Sequence, residues 1–350
     1  MSMKQLNTAT FEQITRLYGQ NSEDFSLAEI IQLLADTNTN IPERTLRRWL
    51  SQWIDDGLVT KTGQKRGTRY KLLRSANSAH TLGQLGFLES VEPAKRKALL
   101  AQLRDLWTHG STAIEGNTLS LGDTHSILEL GLTISGKPLR EHHEIIGHAK
   151  AIDLIYSLCS KDSRQLLTKQ TLFDLHKAVQ LDVVMDIYEP VGQWKVEPNY
   201  ANSVLSNGEA VIIEYALPQE VDSLMVHFIQ TINDYDSESI TIKNAQATFA
   251  KLHLAFVHIH PFADGNGRLA RLIANLPLLK AGLPPLLLDQ NKRREYITLL
   301  ADYQASIKAP NTQSFMESGF WPNAKQLIPF TDFCGECYQS TIMLFGKNAQ

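Results

Sequence analysis

The chain has 350 residues, 43% of them hydrophobic, which is enough to bury a sizeable core and excludes general disorder. Its 34 Lys and Arg stand against 37 Asp and Glu for a net charge of −3, so the total does not mark a nucleic-acid binder. Cys159, Cys334 and Cys337 are too few for a disulfide framework and suit a reducing compartment.

The first eight residues, Met-Ser-Met-Lys-Gln-Leu-Asn-Thr, lack the apolar core of a signal peptide. The most apolar stretch, 272–288, is broken by Asn275, Pro277, Lys280, Pro284 and Pro285, which excludes a membrane span. The expectation is a soluble, cytoplasmic protein of two or three domains.

Charge is unevenly placed. Between Ile41 and Ser75, nine basic residues (Arg44, Arg47, Arg48, Lys61, Lys65, Arg66, Arg69, Lys71 and Arg74) face Glu43, Asp55 and Asp56. The local balance is +6, leaving −9 for the rest. Residues 25–35 read as a short amphipathic helix with Ser26 as N-cap. Pro42 opens a second helix that carries Leu46, Trp49, Leu50 and Trp53 at helical spacing up to Gly57. A strand from Leu58, a Gly-punctuated basic turn at 61–67 and a returning strand at 68–72 complete the order of a winged helix-turn-helix over residues 1–75. Arg44, Arg47 and Arg48 on the expected recognition helix favour DNA as its partner, while dimerisation and protein docking remain open to such a domain.

Residues 75–81 read as a linker, and a helical segment is expected over 76–165. Further helices are expected over 168–179, 218–232 and 244–259. Between them, Ser206-Asn207-Gly208-Glu209 predicts a two-residue hairpin turn, with Val211, Ile212 and Ile213 on one arm. The fold class expected is mainly α: a winged helix-turn-helix followed by an all-helical domain with one hairpin.

The most informative run spans residues 258–271. Pro261 ends a helix that is apolar nearly all round and leaves His260 at its end. Gly265-Asn266-Gly267 can adopt the positive φ values of an anion-binding nest. A helix beginning at Arg268 then aims its free N–H groups and dipole at the same place. Arg268 and Arg271, three apart, can both grip phosphate oxygens. Asp264 suits Mg²⁺, which prefers carboxylate plus phosphate oxygens, and His260 stands beside it as a general base. Together these form a cradle for a polyphosphate. Phe262 is expected to anchor the loop in the core.

His-Pro-Phe-x-Asp-Gly-Asn-Gly-Arg-x-x-Arg, from His260 to Arg271, resembles the signature of Fic-domain (Fido) proteins without a departure. Gly192-Gln-Trp-Lys195, the hairpin before Pro218, Leu224-Met225 and Arg293-Arg-Glu-Tyr296 look similar too, so the resemblance covers roughly residues 82–309. It implies an all-helical core over 166–310 with a hairpin flap that docks a target backbone by strand addition. Beyond it, a helical extension is expected over 311–350. It also implies transfer of AMP from ATP to a protein Ser, Thr or Tyr hydroxyl. By that resemblance His260 deprotonates the acceptor, and Asp264 binds Mg²⁺. Gly265, Asn266, Gly267 and Arg268 hold the α- and β-phosphates, Arg271 holds the γ-phosphate, and Tyr296 lines the base pocket. Ser111-Thr-Ala-Ile-Glu115-Gly116-Asn117 resembles the inhibitory-helix motif of one Fic subgroup. Ser111 and Glu115 lie i and i+4 on one helix face, and Gly116 can close the helix.

The partners expected are a protein bearing an acceptor hydroxyl, DNA through the N-terminal domain, and a second copy of the chain, with no membrane. A nucleotide-sensing, DNA-binding regulator built on the same core is the alternative. Cys334 and Cys337 have metal-type spacing but no second ligand pair, and His142, His143 and His148 lack the spacing of a helical zinc pair.

Overall fold

The computed structural model describes residues 10, 14, 24–36, 41–55, 59–63, 67–72, 85–159, 165–181 and 187–345. The chain divides into two compact units, 1–82 and 83–350.

In the first unit, helices α1 (Leu27–Asp36) and α2 (Glu43–Asp55) precede strands β1 (Val59–Thr62) and β2 (Arg69–Leu72), which pair antiparallel from Val59 opposite Leu72 to Thr62 opposite Arg69. The Ser26 hydroxyl caps α1 by accepting from the Glu29 N–H, as its position predicts. Phe25 exchanges backbone hydrogen bonds with Tyr70 and stacks on its ring, adding one bridge to the hairpin. Ile30, Leu34, Leu46, Trp49, Leu50 and Trp53 bury their side chains together, the helical spacing of the sequence made into a small core. Gln64, Lys65 and Arg66 of the basic turn, Arg74 and the linker at 75–81 lie outside the described residues.

The second unit is helical apart from one hairpin. Its elements are α3 (Pro93–Ile114), α4 (Leu121–Leu130), α5 (Leu139–Leu158), α6 (Lys169–Val179), β3 (Tyr200–Val204), β4 (Ala210–Glu214), α7 (Pro218–Asn233), α8 (Ala245–Ile259), α9 (Asn266–Ile273), α10 (Leu276–Lys280), α11 (Arg293–Ala305), α12 (Thr312–Ser318) and α13 (Ala324–Leu344). Proline starts α3 and α7, where its missing N–H costs nothing. Ser120 and Asp123 form a capping box at the start of α4, and Gly131 closes it in the left-handed region. Helix α8 is the axis of the unit. Phe249, Leu252, Leu254 and Phe256 are all 0% exposed, so it is wrapped on every side, by α7, α9 and α13. Among the described residues no helix is long and apolar enough to cross a membrane.

The hairpin differs from its sequence expectation. Leu205 accepts from the Gly208 N–H and donates to Glu209, so the loop is Ser206-Asn207-Gly208, three residues long. A two-residue type I′ turn needs positive φ at both central positions, but Gly208 (φ 86°) is the loop residue that adopts it and Asn207 does not. The turn is type I followed by a glycine bulge, a combination in which Asn-Gly fits equally well.

One close approach fixes the layer beneath the site. A Cβ on Gly147 of α5 would lie 2.2 Å from the Ala178 carbonyl oxygen of α6 and 3.0 Å from Leu181 Cβ. One obstacle is backbone and the other the first side-chain carbon, so neither can swing aside. Gly147→Ala should therefore cost about 1–3 kcal/mol through overpacking, read as a lower urea midpoint; an unchanged midpoint would mean the crossing is looser than the geometry shows.

Candidate active site

The last turn of α8 delivers His260. Its backbone sits in the left-handed region (φ 54°, ψ 61°), where, among the described residues, the other positive-φ positions are glycines. Such a conformation is costly for a residue with a Cβ and persists where the surroundings over-determine it. Here Pro261 forbids continuation of the helix, and its carbonyl accepts from the Lys195 N–H at 2.9 Å. The imidazole lies flat on the Tyr215 ring, 3.8 Å between centroids. Its Nδ1 is 3.0 Å from the Val257 carbonyl, which can only accept, so Nδ1 carries the proton and Nε2 keeps its lone pair. Burial lowers the pKa of His260 to about 3, and cationic Lys195 works in the same direction. The ring is a neutral base at physiological pH.

The loop after it is held from inside, as expected of Phe262. This ring is 0% exposed and stacks on His176 at 4.0 Å, with Trp194 at 5.1 Å. Asn266 ties the loop at both ends, accepting from the Phe262 N–H and donating to its carbonyl. That clamp starts α9 at Asn266, two residues before the Arg268 expected from sequence. The nest is corrected accordingly. Gly265 has positive φ (80°), whereas Gly267 is already helical. Gly267 is needed for room instead: a Cβ there would lie 2.4 Å from Glu115 Oε1 and 3.1 Å from Arg271 Nη1.

Two side chains that sequence reasoning missed, His176 on α6 and Gln180 just past its end, support the loop. His176 donates from Nε2 to the Asp264 carbonyl (3.0 Å) and accepts at Nδ1 from the Gly192 N–H (2.8 Å), and burial lowers its pKa to about 4. Gln180 donates to Asp264 Oδ2 at 3.0 Å. Packing in the loop opposes ionisation of Asp264, but Arg268 and the Gln180 amide outweigh it and hold the carboxyl below its ordinary value. No short-range pattern marks His176 or Gln180; both lie more than eighty positions from Asp264.

Both arginines of the motif are buried, Arg268 at 4% and Arg271 at 2% exposure. Arg268 reaches Asp264 Oδ2 at 3.2 Å, and its buried Nε has no hydrogen-bond partner. Arg271 commits four of its five N–H donors. Its Nε donates to Ser111 Oγ (2.9 Å), Nη2 to the Ser111 carbonyl (2.9 Å) and to Glu115 Oε1 (2.6 Å), and Nη1 to the Tyr296 hydroxyl (3.2 Å). Glu115 caps α3, Gly116 follows with φ 103°, and Arg293 binds the Ile114 carbonyl. The structure thus brings Ser111, Glu115, Gly267 and Arg271 to one place, with the Glu115 carboxylate lying against the N-terminus of α9. Tyr296 is 3% exposed, and its hydroxyl reaches Arg271 and His253.

Residues 166–278 match the sequence model of the Fic/DOC family. They form a Fic domain. Among curated relatives of this domain, protein adenylyltransferase fic-1 of Caenorhabditis briggsae is 36% identical over 196 residues, 56% of this chain and 36% of that protein. Protein adenylyltransferase Fic of Drosophila mojavensis is 27% identical over 296 residues, 84% of this chain and 48% of that protein. The chain therefore spans half or less of the length of these curated relatives. Among solved structures, a Fic domain containing signaling protein from Bacteroides thetaiotaomicron matches with a TM-score of 0.62 and 25% identity, covering 78% of this chain and 98% of that one. A fragment of Fic-1 from Caenorhabditis elegans matches with a TM-score of 0.57 and 23% identity, covering 97% of this chain and 87% of that one. The Fic core is thus mainly helical in its relatives as here.

The other sequence candidates take structural places. Cys334 and Cys337 are buried free thiols, and among the described residues no cluster of three or more metal-ligating side chains occurs. His142 is buried and bonded to Pro138 and Ile134, and His258 donates to the Lys308 carbonyl.

Buried neutral histidines give the domain a pH signature. His176 and His258 are 1% and 5% exposed, and each is lowered to about 4, so both stay neutral in the fold and protonate on unfolding below their ordinary value. The unfolded chain then binds more protons, and stability is lost as pH falls from 6.5 toward 4, by about 1.4 kcal/mol per pH unit for each. Urea midpoints at pH 7 and pH 5 check this. A flat profile would show that one or both are charged in the fold.

Proposed function

We propose that this chain is a self-inhibited protein adenylyltransferase, which transfers AMP from ATP to a Ser, Thr or Tyr hydroxyl of a protein target. The observation that carries the reading is the His260 Nε2 lone pair, set at the end of a loop that leads directly into a helix N-terminus flanked by two buried arginines. In the reaction the acceptor oxygen forms a bond to the α-phosphorus while the bond to the bridging oxygen of the β-phosphate breaks. Pyrophosphate leaves with that electron pair, and the hydroxyl proton passes to His260 Nε2. The N–H groups of Gly265, Asn266 and Gly267 with Arg268 hold the α- and β-phosphates, and Arg271 the γ-phosphate. The unpaired Arg268 Nε supports this, since a buried donor calls for an acceptor.

Asp264 alone cannot hold a metal, but one exposed carboxylate beside a phosphate cradle fits Mg²⁺ delivered on the nucleotide. When bound, the ion offsets phosphate charge. The hairpin β3–β4, its strand edges free to pair, serves as the flap that aligns the target backbone. The three free thiols fit a cytoplasmic setting.

Glu115 is the inhibitor in this reading, an internal anion lying against Arg271 where the γ-phosphate belongs. Displacing the γ-phosphate misaligns the α-phosphorus, and an error near 1 Å can cost about 10²-fold in rate. Glu115→Gly should raise self-modification about 10-fold or more, and adding Arg271→Ala should remove the gain. His260→Ala should lower transfer about 10²–10⁴-fold with ATP affinity little changed, because the base acts on the acceptor. Labelled nucleoside triphosphates followed by mass spectrometry of the products read both. Equal activity of wild type and Glu115→Gly would make Glu115 a helix-end residue only, and normal turnover without His260 would remove it as the base.

A second reading concerns the first unit. Arg44 and Arg48 are exposed on α2 while Arg47 pairs with Glu43, leaving two guanidinium groups for an anionic partner. We assign this face to duplex DNA, with binding that weakens steeply with salt. Fluorescence anisotropy of the full chain with duplex DNA tests it, and absence of binding at low salt would point to protein docking instead.

A further inference from the structure

Arg271 is gripped from two sides that differ in permanence. Three of its hydrogen bonds go to one helix, α3: two to Ser111 and one to Glu115. The fourth goes to Tyr296 on α11, and behind Tyr296 stands His253 of α8, its Nε2 3.1 Å from the tyrosine oxygen. The proton positions follow from donor chemistry. Arg271 can only donate, so the Tyr296 oxygen accepts from it, and the one hydroxyl hydrogen must point at His253 Nε2. His253 therefore accepts at Nε2 and carries its own hydrogen on Nδ1, a buried atom with no partner. The imidazole is neutral, its pKa lowered first by burial and then by the charge of Arg271. A protonated His253 would present a hydrogen to the tyrosine oxygen and leave the hydroxyl hydrogen directed at a cation.

The pair is also fixed sterically. Tyr296 packs against Phe330 and Phe333, and His253 stacks on Phe330 at 5.2 Å. The Arg271 guanidinium lies over the Tyr296 ring, 5.8 Å from its centroid. None of these contacts involves α3.

We propose that Tyr296 and His253 are positioning residues that hold the Arg271 guanidinium in place for the γ-phosphate when Glu115 has withdrawn. Tyr296 acts through Arg271 and not on the nucleotide base. The inference rests on the reading of Arg271 as the γ-phosphate ligand, and it separates two functions of one cluster. Ser111 and Glu115 form the releasable grip, and Tyr296 with His253 the permanent one.

ADP lacks the γ-phosphate, so it should not sense this anchor. Isothermal titration of the full chain with MgATP and MgADP tests the proposal, using Glu115→Gly as the parent. Adding Tyr296→Phe, which keeps the ring and its packing, should weaken ATP about 10-fold while ADP changes less than about 2-fold, the loss of one hydrogen bond to a charged group. His253→Leu on the same parent should follow it, and His253→Gln, whose amide oxygen can accept the hydroxyl hydrogen, should restore most ATP affinity. General damage to the fold moves both nucleotides together, so equal weakening of ATP and ADP, or an ATP affinity indifferent to both Tyr296→Phe and His253→Leu, overturns the anchor. Failure of the parent to bind either nucleotide overturns the proposed function itself, and the anchor with it.

Discussion

A guanidinium with 2% of its surface exposed cannot be left without acceptors. Arg271 is such a group, and the second unit is arranged around the need to satisfy it. Removing one partner of a buried charge leaves a penalty of several kcal/mol, so every element that reaches Arg271 is tied to its place by that demand. Helix α3 supplies a hydroxyl, a carbonyl and a carboxylate, and α11 supplies a phenol. The demand is for acceptor oxygens in general. A carboxylate and a phosphate answer it equally, which is what the proposed function asks of this one arginine.

The chemistry at the other end of the loop depends on rigidity of a different kind. His260 keeps a strained backbone because Pro261, the Val257 carbonyl and the stacked Tyr215 leave it no alternative. Phe262, buried among His176, Trp194 and Phe256, fixes the loop from below, while Asn266 closes it from within. Lys195 adds an electrostatic element. Burial lowers its ammonium to about 7, its Nζ donates to Asn199 at 2.5 Å, and it lies 5.9 Å from the Tyr215 ring on which His260 stacks.

How much of this was legible in the sequence depended on the range of the interaction. The run 260–271 declares its chemistry because helix end, loop, glycines and arginines are consecutive, and local rules act on consecutive residues. The pairing of Glu115 with Arg271 spans more than 150 positions and came from a motif resemblance, with no spacing rule behind it. His176, Gln180 and His253 were illegible as parts of the site, since each joins it from a distant helix and carries no local mark. His253 in particular sits on a helix that is apolar nearly all round, where a histidine carries only the mark of a core residue. The turn at 205–209 and the start of α9 differed from expectation for a common reason: Asn207-Gly208 fits two turn types, and the Asn266 clamp that starts the helix early depends on tertiary placement of Phe262.

Helix α3 is a single uninterrupted element of 22 residues with Glu115 at its tip. At 1.5 Å per residue it is a rod about 33 Å long. A tilt of only about 3° about its far end would carry the tip about 1.7 Å sideways, enough to part a contact of hydrogen-bond length. The tip is held by Arg293 and by the Asn117 amide on α5, and the root by Arg96, which donates to the Val91 and Glu89 carbonyls just before the helix. A small rotation imposed at the start of the helix, far from any phosphate, is therefore magnified at the carboxylate by the full length of the rod.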